Sequence, residues 1–123
     1  LRALDHEHVS TDPEQLAKAI AKAIDMRKGV DTRILNIKNL SLIADYFVIT
    51  SGTSKPHVDA LTETVLDFLN KHGHSTRRVE GKASGRWVLI DAGDVVVHIF
   101  HKDERAYYQL ERIWSDAPVL SLT

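Results

Sequence analysis

The sequence predicts an α/β sandwich: a single domain with a mixed β-sheet of about five strands and helices packed on it. Three observations lead there. Residues 12–29 and 54–73 repeat apolar side chains at helical spacing. Between and after them run "DYFVITS" and "RWVLIDAGDVVVHIF", rich in β-branched and aromatic residues. The 123 residues are close to the commonest size for one domain, and 43% hydrophobic with 27% charged residues is an ordinary globular composition.

Residues 1–11 read as a flexible leader, 12–118 as the folded domain and 119–123 as a C-terminal tail. In "TDPEQLAKAIAKAID", Asp12 can serve as N-cap, Pro13 suits the first helical position, and Gln15 gives a capping-box-like spacing. Leu16, Ile20 and Ile24, with Ala17 and Ala23, form one apolar stripe, and Gly29 suits the C-terminal stop. "TRILNIKNL" alternates apolar and polar residues, sets Ile34 apart from Leu35 and Ile37, and reads as a strand. "DYFVITS" is continuously apolar, as in a strand buried on both faces. Ser51-Gly52-Thr53-Ser54 turns the chain into a second helix with Ser54 as N-cap. There Val58, Leu61, Val65, Leu66 and Leu69 recur at helical spacing, and Gly73 ends it. "STRRVE" is a short strand, followed by a loop with Gly81 and Gly85 and then a hairpin over Arg86–Phe100. A final helix, from about Asp103 to Trp114, stops before Asp116-Ala117-Pro118.

With Ala92-Gly93 as the hairpin's two-residue turn, Asp91 faces Asp94, Ile90 faces Val95, Leu89 faces Val96, Val88 faces Val97 and Trp87 faces His98. One face then carries only Val88, Ile90, Val95, Val97 and Ile99, which belong against the helices. The other carries Trp87, Leu89, Asp91, Asp94, Val96, His98 and Phe100, apolar in the middle and acidic at the turn. An apolar centre with a charged rim and a large aromatic is the anatomy of a protein-binding patch. The same pattern also fits a second core face, with Asp91 merely opening a β-turn.

Sixteen basic and 17 acidic side chains give a formal charge of −1, which argues against nucleic acid as the main partner. There is no Cys, as suits a reducing compartment, and no apolar run reaches the roughly 18 residues of a membrane span. The N-terminus has neither an apolar signal core nor the acid-poor, Arg-rich character of a transit peptide, and it lacks an initiator Met. His72, His74, His98 and His101 show no metalloprotease spacing, so no metal is expected, and no nucleophile elbow is present. The Gly52–Ser54 turn could present N–H groups to an anion, as in nucleotidyltransferases. It lacks the P-loop Gly and Lys, and "STRRVE" has no pair of metal-binding carboxylates. Arg77, Arg78, Lys82 and Arg86 make a modest basic stretch interrupted by Glu80.

"ADYFVITSGTS", "VEG", "WVLIDAGDVVVHIF" and "YYQLERIW" followed by "DAP" together resemble the ribosomal silencing factor, or iojap-like, family over residues 12–118. The resemblance implies a non-enzymatic translational repressor with nucleotidyltransferase-like topology but without catalytic carboxylates, cofactor or metal. Family members bind the large ribosomal subunit through its ribosomal protein number fourteen; for this chain a minor contact to ribosomal RNA is an added expectation. They thereby block joining of the small subunit when nutrients are scarce. By resemblance, the partner-binding residues are Trp87, Leu89, Asp91, Asp94, Val96, His98, Glu80 and Tyr107. A bacterial cytoplasmic location and a homodimer in the free state are implied as well. Where many members carry an Arg, this chain has Pro56, so any contact of that Arg has no counterpart here. The alternative is a nucleotide-binding enzyme of nucleotidyltransferase type using the Gly52–Ser54 turn.

Overall fold

The computed structural model describes residues 12–104 and 117–120. The leader, nearly all of the expected final helix, and Tyr107 with it lie outside them. Helix α1 spans Pro13–Met26 and buries Leu16, Ala17, Ile20, Ala21 and Ile24. Ala21 takes the place expected for Ala23, because it lies four residues from Ala17 and three from Ile24. Asp12 is the N-cap through its backbone, accepting from Leu16 N–H at 3.0 Å, but its side chain makes no capping bond. The helix ends in a Schellman arrangement, with Gly29 N–H on Ile24 O at 3.0 Å and Lys28 N–H on Asp25 O at 2.9 Å. The left-handed position is therefore Lys28, φ 63°, and not Gly29 as the sequence suggested.

Strand β1, Val30–Asn36, and strand β2, Tyr46–Gly52, pair antiparallel. Every residue of β2 is buried, as its unbroken apolar run predicts. Helix α2, Lys55–Lys71, starts at Ser54, whose Oγ accepts from His57 N–H at 3.2 Å, and it tolerates Pro56 in its first turn. Strands β3 (Arg78–Glu80), β4 (Trp87–Asp91) and β5 (Val95–His101) follow. The sheet has six strands in the order β3-β4-β5-β2-β1-β6, with β2 and β5 parallel and every other pair antiparallel. The strand beyond the expected number is β6, Val119–Leu120, which pairs with Leu35 and Ile34 from what the sequence assigned to the tail.

Both helices cover one face, where Ile34, Val48, Val88, Ile90, Val95, Val97 and Ile99 meet Ile20, Ile24, Val58, Leu61, Val65 and Leu69. On the other face Leu35, Ile37, Ala44, Phe47, Ile49, Val96, Phe100 and Ala117 form a second, smaller cluster. The hairpin register differs from the expected one. Asp91 pairs with Val96, Ile90 with Val97, Leu89 with His98, Val88 with Ile99 and Trp87 with Phe100. The turn is Gly93-Asp94, with Gly93 at φ 94° and Ala92 N–H bonded to Val95 O at 3.0 Å. A two-residue loop of the hairpin type with glycine first needs φ above zero there, which moves the turn one residue along. Each partner shifts by two residues, so both faces keep their expected members except Asp94, which leaves the ladder.

Candidate functional site

On the face away from the helices, the register aligns Glu80, Leu89, His98 and Ile49 in one row. Trp87, Phe100 and Ser51 form the row on one side of it, and Arg78, Asp91, Val96 and Phe47 the row on the other. Exposure rises from the central strands toward β4. Val96, His98 and Phe100 on β5 are buried, Leu89 and Asp91 on β4 are half-buried, and Trp87 is 45% exposed.

The indole of Trp87 is held in two ways. It stacks on Phe100, with ring centroids 5.1 Å apart at 28°, and its Nε1–H donates to His98 Nδ1 at 3.1 Å. His98 itself is 3% exposed and meets the Phe47 ring edge-on at 4.6 Å. Burial lowers its pKa from 6.5 to about 4, so the ring is neutral near pH 7.

Asp91 does not face Asp94. Its Oδ1 accepts from Gly93 N–H at 2.9 Å and steadies the turn, while its Oδ2 lies 3.8 Å from Arg78 Nε. This is the β-turn role that the sequence left open for it. Asp94 is exposed, and its carbonyl accepts from Asp45 N–H at 2.8 Å and Tyr46 N–H at 3.1 Å. The exposed carboxylate of Glu80 pairs with Arg78 at 3.1 Å. The fold thus gathers Trp87, Leu89, Asp91, Val96, His98 and Glu80 on one face and places Asp94 at its tip. Within that set, Val96 and His98 lie beneath the surface.

The Gly52–Ser54 turn is occupied by the protein's own groups. His57 Nδ1 accepts from Thr53 N–H at 2.9 Å, and His57 Nε2 donates to the Arg27 carbonyl at 2.9 Å. His57 N–H is taken by Ser54 Oγ. A Cβ on Gly52 would lie 2.9 Å from Val58 N and Cγ2, so glycine is required by the close approach of β2 to α2. Among the described residues no three His, Asp or Glu side chains cluster as metal ligands would. Sequence reasoning missed the loop between β1 and β2. Leu40, Leu42 and Ile43 are exposed there, although Ile43 N–H is fixed on Ser41 Oγ and Ser41 N–H on Ile37 O. The sequence reading extends the first strand through Leu40, whereas β1 ends at Asn36, because the alternation of Leu35 and Ile37 breaks at Asn39.

A family model described as ribosomal silencing factor during starvation matches residues 10–123. The chain belongs to the ribosomal silencing factor family. The ribosomal silencing factor of Halalkalibacterium halodurans is 46% identical over 109 residues, which span 89% of this chain and 93% of that protein. The Bacillus subtilis ribosomal silencing factor is 43% identical, spanning 89% and 92%. A crystal structure of a Bacillus halodurans protein superposes with a TM-score of 0.77 at 42% identity, over 91% of this chain and 99% of that one. These silencing factors carry the name of regulators rather than catalysts. No helix among the described residues is long and apolar enough to cross a membrane.

Proposed function

We propose that this protein represses translation by binding the large ribosomal subunit through its ribosomal protein number fourteen, and so holds off the small subunit when nutrients are scarce. The observation that carries this reading is Trp87: a large aromatic 45% exposed on the sheet, with acidic Glu80 in the adjacent row and Asp91 in the row beyond it. Exposed aromatics in such settings are the residues that anchor protein interfaces. An acidic rim complements a basic protein embedded in RNA, which favours encounter and orientation. The mechanism is steric, because a folded body seated on the docking surface excludes the second subunit and no bond is made or broken. On this reading it acts as a monomer on the ribosome, in the bacterial cytoplasm, and a homodimer is its free form.

Co-sedimentation with purified large subunits tests the proposal. The wild type pellets with them, and a folded variant carrying Trp87→Ala and Leu89→Ala loses about 2 kcal/mol of affinity or more, on the order of thirtyfold. A wild type that stays in the supernatant, or a variant that binds equally well, removes this function or this face respectively.

A further inference from the structure

His98 lies under the proposed docking face rather than on it, yet it makes the one directional contact described for the exposed indole. Indole nitrogen is a donor only, so the bond to Nδ1 requires that nitrogen to be unprotonated and places the ring hydrogen on Nε2. His98 Nε2 is buried and finds no hydrogen-bond partner among the described residues. Burying an imidazole with an unpartnered N–H costs stability, so an aliphatic side chain would serve the core better. What the imidazole supplies, and an aliphatic cannot, is an acceptor facing Trp87.

The two contacts on the indole restrain different motions. Stacking on Phe100 at 28° fixes the plane of the ring but lets it slide and rotate within that plane. The hydrogen bond to His98 removes this remaining freedom, because it ties one edge atom to a ring wedged against Phe47. An interface side chain held in its bound rotamer before contact loses less entropy on association.

We infer that His98 is a positioning residue: it does not meet the partner but holds the Trp87 indole in the orientation in which it docks. This rests on the reading of Trp87 as the docking anchor. At neutral pH the acceptor is always available, since burial keeps the imidazole uncharged.

The test compares His98→Leu with His98→Asn, whose side-chain oxygen falls where Nδ1 was. In the core, Leu is the more stabilising replacement and Asn the less, so thermal stability should rank Leu above Asn. Affinity for purified large subunits should rank the other way, with His98→Leu about tenfold weaker than wild type and His98→Asn close to it. A merely structural role would make affinity follow stability, and that order overturns the inference. In a Trp114→Phe background, which isolates Trp87, time-resolved fluorescence anisotropy of the free protein should show nanosecond indole motion gained in His98→Leu and absent in His98→Asn. Should either variant fail to fold, exchange of the Trp87 indole N–H in the labelled wild type decides. Protection supports the bond to His98, and exchange as fast as that of free tryptophan overturns it. If Trp87→Ala binds as wild type does, the docking reading fails instead. The anisotropy and exchange measurements, made without ribosomes, then still decide whether His98 positions the indole.

Discussion

The buried imidazole of His98 links stability to pH. Its pKa is lowered by burial to about 4 in the folded chain, against 6.5 when exposed to water. Between those values the unfolded chain binds the extra proton, so stability is full above pH 6.5 and falls as the pH drops toward 4. The loss from this one group is about 3 kcal/mol at its limit, and urea titrations at several pH values should find that dependence flattened in His98→Leu. Lys28 holds a strained backbone, with φ of 63° at the position after a helix end that glycine usually fills. Lys28→Gly should stabilise the chain by about 1 kcal/mol in the same assay. The sequence placed glycine one position too far along. A close approach required Gly29, whose Cβ would strike the Ile24 side chain, and composition does not distinguish that need from a positive φ.

In the hairpin β4–β5, alternation decided which residues face the helices and which face away, and both sets were legible before the structure. The pairing was not, since a slip of two residues leaves every face unchanged and only the turn decides among registers. Gly93 decides it, because φ of 94° is open to glycine and costly for any other residue. Gly93→Ala should therefore destabilise by about 1–2 kcal/mol, measured by thermal or urea unfolding. The loop between β1 and β2 predicts the opposite sensitivity. Leu42 and Ile43 lie in solvent, so Leu42→Ser and Ile43→Ser should each change stability by less than about 0.5 kcal/mol. Strand β6 escaped the sequence reading because two residues carry no period; only pairing with Ile34 and Leu35 defines it. The burial of Val96 and His98 was equally hidden, since alternation names a face without saying what covers it.

At the scale of the whole molecule, the fold separates its tasks by side. Helices α1 and α2 and the larger apolar cluster occupy one face of the sheet, and the proposed contact residues the other, so changes at Trp87 and Leu89 leave the main core intact. The chain is near-neutral overall, with a formal charge of −1. On the proposed reading, steering toward a basic partner comes from the local acidic rim, and the association rate with large subunits should fall as salt rises while dissociation changes little. Stopped-flow measurement at two ionic strengths checks this, and a salt-independent association rate would count against a charge-guided encounter.

The parallel pairing of β2 with β5 at the centre of the sheet also sets the order in which the chain can fold. Tyr46 lies beside Val95, on the far side of α2, β3 and β4 in the chain, so the central ladder closes only after all of these have been synthesised. The helix α1 and the β1–β2 pair, made first, bury one side of β2 against β5 only at that late step. Refolding should accordingly be governed by a non-local event and be slow for a chain of this size, on the millisecond-to-second scale of high contact order. During synthesis, an incomplete chain keeps β2, every residue of which is buried in the finished fold, with one edge unpaired until β5 leaves the ribosome.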